Sequence, residues 1–174
     1  IYCDELPEFN KIGREVFTTL EETGLFILRA LALHLNLEET YFDTKVKGGN
    51  SILRAIHYPP IQTEPKGAVR AAAHGDINLI TILMGASASG LEIKTRSGDW
   101  IAVTALPDQV VVNIGDMMSR LTNNKLHSSI HQVVNPPKSE WKKPRFSIPF
   151  FMHPRSEMSL NCLPSCYSET KPKL

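Results

Sequence analysis

The sequence predicts a mainly β fold with flanking helices: a double-stranded β-helix (jelly roll, cupin-like) preceded by an α-helical segment. Two observations predict it. Apolar residues follow a period near 3.6 over the first part of the chain, then switch to a period of two after Gly48-Gly49. The second part breaks into eight short β-rich segments separated by turn signals, with little helix among them, the pattern of a closed pair of antiparallel sheets.

The first element rests on Phe9, Ile12, Val16, Leu20, Phe26, Ile27, Ala30, Leu31 and Leu35, whose spacing predicts one long amphipathic helix over roughly 7–35, bent at Gly24. Asn36 followed by Glu39 resembles a capping box and predicts a second, short helix through Asp43. The first strand is expected over Ser51–Tyr58, stopped by Pro59-Pro60, and the second over Val69–Asp76 after a proline-bearing loop. Leu79–Met84, Leu91–Thr95 and Trp100–Ala105 follow, with Ser97-Gly98 as a tight hairpin between the last two. Gln109–Ile114, Leu126–Val134 and Arg145–Met152 complete the eight, and after Pro154 the tail is polar. Residues 1–48 are thus expected to pack as a helical segment on a core of 49–155, with 156–174 as a tail.

Composition narrows the function. At 174 residues the chain holds one domain with a real core, and 42% hydrophobic with 21% charged residues is ordinary for a soluble globular protein. A formal net charge of +1 argues against a nucleic-acid partner. The one basic cluster, Lys138, Lys142, Lys143 and Arg145, is broken by Glu140 and prolines and reads as a solvated loop. The apolar stretch Leu25–Leu37 is interrupted by Arg29, His34 and Asn36 and is too short to span a bilayer. Three cysteines, with Cys162 and Cys166 spaced C-x₃-C and no second pair, read as reduced thiols rather than a zinc site. No secretory signal is visible, so a cytoplasmic location is expected. The chain opens with Ile1 and enters a helical pattern almost at once, as a fragment or processed polypeptide would.

The chemistry lies in the second half. On a strand, His74 and Asp76 point to one side with Gly75 turned away, and Gly75 lets the backbone bend where both must reach one ion. Two imidazoles and one carboxylate leave open positions on a metal, the ligand set of non-haem Fe(II) enzymes that activate O₂, although zinc or manganese suits the same donors. The third ligand must come from His127 or His131. On one extended strand these stand roughly 13 Å apart at about 3.3 Å per residue, so only one of them can join the same ion. Arg145 and Ser147, also two apart, offer a forked cation and a hydroxyl to a carboxylate, and Tyr58 can present a phenol to the same pocket.

Ordered blocks then carry a resemblance. Leu53-Arg54-Ala55-Ile56-His57-Tyr58-Pro59-Pro60, Ala73-His74-Gly75-Asp76, Val112-Asn113-Ile114-Gly115-Asp116 and Leu121-Thr122-Asn123-Asn124 come first. Ser128-Ser129-Ile130-His131-Gln132-Val133 and Pro144-Arg145-Phe146-Ser147-Ile148-Pro149-Phe150-Phe151 complete the set. Together they resemble the isopenicillin N synthase-like family of iron- and 2-oxoglutarate-dependent dioxygenases. The resemblance implies that His74, Asp76 and His131 hold Fe(II) while His127 does not. It also implies that Arg145 and Ser147 bind the distal carboxylate of 2-oxoglutarate and that Tyr58 contacts a cosubstrate or substrate carboxylate. Asn113–Asp116 would be a structural turn between core strands.

Arg54 shares parity with Tyr58 and could meet an acidic substrate, or serve a salt bridge. The implied reaction takes O₂ and 2-oxoglutarate to succinate and CO₂ while oxidising a small organic substrate, with hydroxylation expected ahead of desaturation or ring closure. Alternatives are a 2-oxoglutarate-independent iron oxidase of the same family and a non-catalytic metal-binding cupin-like module. The chain departs from the family at Gln132, where arginine is usual, and in lacking a long segment that members carry ahead of the part seen here.

Overall fold

The computed structural model describes residues 3–104, 106 and 108–173. Helix α1 spans Pro7–His34 as a single element, begun by Pro7 in its first turn, where a missing N–H costs nothing. Leu20, Gly24, Leu28 and Ala32 recur every fourth residue and form its buried stripe. Gly24 lies within this helix as a point of close approach. A Cβ there would overlap Met152 Sδ and come within 3.3 Å of Ile82 Cδ1.

Asn36 does not cap a second helix; it ends the first. Its φ of 56° is left-handed, Leu37 N–H donates to Ala32 O (2.9 Å) and Asn36 N–H to Leu33 O (3.1 Å), the paired bonds of a Schellman ending. The short helix comes later, as α2 at Asp43–Val46, tied to α1 by Arg29, which makes bonds of 3.2 and 2.6 Å to the two oxygens of Asp43.

Among the described residues nine strands follow: β1 Ile52–Leu53, β2 Ile56–Tyr58, β3 Ala71–His74, β4 Ile80–Met84, β5 Leu91–Lys94, β6 Trp100–Ala102, β7 Val110–Ile114, β8 His131–Val133 and β9 Arg145–Met152. In one sheet β1 and β2 both pair with β9, which also pairs with β4, and β4 with β7; in the other the order is β3-β8-β5-β6. All pairings are antiparallel. Two such sheets facing each other make the expected jelly roll.

The predicted first strand is divided for a chemical reason. β1 and β2 keep one register on β9, from Ile52↔Phe151 to Tyr58↔Arg145, and the gap falls opposite Pro149. Arg54 N–H donates to Pro149 O (3.0 Å), but proline has no N–H to return. The hairpin at Ser97-Gly98 is present: Gly98 N–H donates to Thr95 O (3.1 Å), and Gly98 takes φ 96° between β5 and β6. Ala105, the expected end of the sixth segment, lies outside the described residues.

Two further segments differ from expectation. Residues 126–130 are not strand, so β8 is short. Asp116–Leu121 forms a helix, α3, whose Met118 and Leu121 enter the core. Its first N–H groups are satisfied by the loop after β3: Asp116 N–H donates to Asp76 O (2.7 Å) and Met117 N–H to Ile77 O (3.1 Å).

The apolar core sits between α1 and the outer face of β4 and β9, where Leu28, Ile80, Ile82, Phe150 and Met152 are buried and Phe17 meets the Phe150 ring edge-on at 5.2 Å. The polar tail joins it. Leu163 and Cys166 are buried, Leu163 N–H donates to Leu121 O (2.9 Å), and Ser165 Oγ donates to Leu35 O (2.8 Å). The three cysteines are free thiols, and burial pushes that of Cys162 up. Among the described residues, no helix is long and apolar enough to cross a membrane.

Candidate metal and carboxylate site

The strand ends deliver three metal-ligating side chains to one point. β3 ends at His74 and β8 begins at His131, and the two are direct cross-strand partners. Asp76 lies two residues past His74. Its Oδ1 is 4.0 Å from His74 Nε2 and 3.7 Å from His131 Nε2, and the three potential ligand atoms lie within 4.8 Å of one another. Gly75 is needed for room. A Cβ there would stand 2.8 Å from Ser128 Oγ and 3.1 Å from Asp116 Oδ1. His127 is not part of the cluster.

Each side chain is held by the atom it does not aim inward. His74 Nδ1 lies 2.7 Å from Ala72 O and His131 Nδ1 2.9 Å from Ser129 O, so each Nδ1 donates to a carbonyl and each Nε2 is turned toward the cluster. Asp76 Oδ2 accepts from Thr81 Oγ1 (2.6 Å) and Asn113 Nδ2 (2.9 Å), which leaves Oδ1 facing the imidazoles. Asn78 Nδ2 in turn donates to Thr81 Oγ1 (2.8 Å). Two imidazoles and a fixed carboxylate with tethered outer partners fit a divalent transition ion, the donor set preferred by non-haem iron.

The sequence does not mark Thr81 as a site residue, and it suggests only a structural turn for Asn113. They sit opposite each other in the β4–β7 register, each a polar residue between apolar strand neighbours, and that was the signal available. Gln132 makes no contact of this kind. It turns to the neighbouring strand, where its Nε2 donates to Glu92 Oε2 (2.8 Å).

The triad lines a cavity of about 280 Å³ between the sheets, together with Arg145, Ser147, Tyr58 and Arg54. Lys138, Lys142 and Lys143 are exposed as expected of a solvated loop, but Arg145 leaves that cluster and is only 1% exposed. Its Nε donates to Ala88 O (3.2 Å), and its Nη1 is buried with no hydrogen-bond partner among the described residues. Burial lowers its affinity for its proton and nearby Arg70 acts the same way, while Tyr58 opposes both. Tyr58 is the register partner of Arg145, with its ring centroid 5.2 Å from the guanidinium carbon. Ser147, also buried, follows on the same face of β9. Arg54 is exposed at the cavity edge.

Comparison with known proteins agrees with this geometry. The sequence profile of the 2OG-Fe(II) oxygenase superfamily matches residues 49–154. The 2-oxoglutarate-Fe(II) type oxidoreductase hxnY of Emericella nidulans is 35% identical over 165 residues, 93% of this chain and 46% of its own. A Caulobacter crescentus protein assigned to the 2OG-Fe(II) oxygenase family superposes with a TM-score of 0.92 at 42% identity, covering 99% of this chain and 56% of that one. A full-length Neurospora crassa protein solved in complex with alpha-KG superposes with a TM-score of 0.89 at 34% identity, over 99% of this chain and 54% of that one. The chain therefore spans about half the length of these relatives. A jelly roll with this triad, matched by the superfamily profile over most of its length, belongs to the 2OG-Fe(II) oxygenase superfamily of iron- and 2-oxoglutarate-dependent oxidoreductases.

Proposed function

We propose that this chain carries the metal and cosubstrate site of an Fe(II)- and 2-oxoglutarate-dependent dioxygenase. The reaction couples oxidative decarboxylation of 2-oxoglutarate to succinate and CO₂ with oxidation, foremost hydroxylation, of a small organic substrate. The reading rests on one observation: a two-histidine, one-carboxylate cluster and a buried guanidinium with an unpartnered Nη1 line the same cavity.

His74, Asp76 and His131 would hold Fe(II) through Nε2, Oδ1 and Nε2, and the ion, when bound, would supply oxygen activation and a chelation point for the 2-oxo acid. Ala72 O and Ser129 O fix the imidazole tautomers, and Thr81 and Asn113 keep the Asp76 carboxylate from rotating away. Arg145 and Ser147 bind the distal carboxylate, with the Tyr58 phenol beside them. An anion there relieves the desolvated guanidinium, and the forked donor fixes its orientation. Leu83, Leu91, Ile93, Val103 and Val111 wall the cavity with hydrocarbon, which limits water around the reacting centre. Arg54, exposed in the cavity lining, would meet an acidic group on the substrate. Residues 49–155 form the catalytic core, on which 1–48 packs and to which 156–174 forms a tail.

Anaerobic titration of the metal-free chain with Fe(II) and then 2-oxoglutarate tests this. A visible metal-to-ligand charge-transfer band should need both additions and vanish in His74→Ala. Arg145→Ala should bind Fe(II) normally but raise half-saturating 2-oxoglutarate on the order of a hundredfold, as truncating one partner of a buried charge pair does. Unchanged saturation overturns the carboxylate assignment. Iron uptake with no band favours a 2-oxoglutarate-independent oxidase or a bare binding module.

A further inference from the structure

One guanidinium in the cavity wall has no part in the roles above. Arg70 lies immediately before β3, in the sheet opposite the one that carries Arg145, and lines the same cavity. Its Nε is fully buried and, like Nη1 of Arg145, has no hydrogen-bond partner among the described residues. Both guanidiniums approach one ring: the guanidinium carbon is 5.9 Å from the Tyr58 centroid for Arg70 and 5.2 Å for Arg145. Arg70 Nη2 donates to Lys143 O (3.3 Å), two residues ahead of Arg145, which anchors it at that end of the cavity.

The charges do not balance locally. Asp76 is the one carboxylate among the cavity-lining residues, and it is held between the imidazoles, Thr81 and Asn113. Two permanent cations therefore line one cavity beside the same tyrosine ring, each with a buried N–H that has no acceptor among the described residues. Bringing like charges together out of water is unfavourable unless an anion joins them. A carboxylate has about four lone-pair directions, enough for both guanidiniums together with Ser147 and Tyr58.

Resting on the cosubstrate reading above, we propose that Arg70 is a second cationic contact for the distal carboxylate of 2-oxoglutarate, so that cosubstrate binding ties the two sheets together. The Arg54 edge is left for the substrate.

The test is the same anaerobic Fe(II) titration, run with 2-oxoglutarate and with 2-oxobutyrate, which keeps the chelating end and lacks the distal carboxylate. Arg70→Gln should raise half-saturating 2-oxoglutarate roughly tenfold to a hundredfold, the effect of a lost hydrogen bond to a charged group, and leave 2-oxobutyrate unchanged. Arg70→Lys should recover part of the loss and guards against a variant that fails to fold. The double change with Arg145→Gln should cost less than the product of the single effects, because both side chains hold one carboxylate. A wild-type band with an unshifted midpoint in Arg70→Gln overturns the role of Arg70 alone. Equal weakening toward both acids also overturns it, showing a structural part instead. No band in the wild-type chain overturns the cosubstrate reading and this proposal with it.

Discussion

Thr81 offers a sharp test of how the metal ligands are held. Its hydroxyl is 2.6 Å from Asp76 Oδ2 as donor and 2.8 Å from Asn78 Nδ2 as acceptor, and its residue is only 3% exposed. Thr81→Val keeps the shape and removes the hydroxyl. The bond to the carboxylate is charge-assisted and worth about 1.5–3 kcal/mol, and the stranded Asn78 amide adds a penalty of about 1–3 kcal/mol. Valine regains some of this by burying a methyl group, so metal-free stability should fall on the order of 2–4 kcal/mol. Metal affinity should fall separately, by roughly tenfold to a hundredfold, because partners behind a ligand set its orientation. Asn113 still holds Oδ2, which places the expected loss near the lower end. Denaturant unfolding of the metal-free chain gives the first quantity, and competition for Co(II) against a chelator gives the second. A variant destabilised as expected but with metal affinity within twofold of wild type would refute the claim that Thr81 orients Asp76.

Three further outcomes follow from the packing. Gly24→Leu should lower the thermal midpoint, with overpacking against Met152 and Ile82 costing about 1–3 kcal/mol despite the better helix former; an equal or higher midpoint contradicts the close approach. Asn36→Ala should destabilise by about 1–2 kcal/mol and Asn36→Gly should not, since only the alanine is strained at φ 56°; denaturant unfolding of both separates this ending from a cap. Asp43 is held below the ordinary carboxylate range first by its hydrogen bond to Arg29, so the stability it adds is full above the ordinary range and is lost as pH falls through its lowered value. Wild type should therefore exceed Asp43→Asn in stability at neutral pH, and the gap should close in acid; a gap independent of pH would rule out the ionised pair as its source.

What could be read from the sequence depended on whether one segment decided the matter. α1 and β9 were legible because a helical period and a strand with polar residues two apart are local signals. Asn36 misled because the same residue type favours a helix start and a left-handed helix end, and the choice between them is made by Leu37 reaching back to Ala32. The break between β1 and β2 was hidden because its cause, Pro149, is nearly a hundred residues away. α3 was missed because six residues with three apolar side chains hold too little periodicity to register. The seven residues expected around one pocket do share a cavity. The roles of Thr81, Asn113 and Arg70 are not legible because their partners, Asp76, Asn78 and the Lys143 carbonyl, lie in loops whose course the strand pattern does not give.

The position of β9 has a consequence for how the chain reaches its folded state. Of the described strands it is the last in sequence, yet β1, β2 and β4 all pair with it, and Phe150 and Met152 cover the stripe of α1. During synthesis, the strands near residue 55 must wait for some ninety further residues, and the apolar face of α1 for longer still, before their partner exists. Folding is then committed late and over long sequence separations, a slow regime in which exposed strand edges invite association with other chains. Arg145 and Ser147 ride on that same strand, so the cavity acquires its cation in the step that closes the sheet. A chain stopped short of β9 would lack the central strand and the carboxylate contacts together.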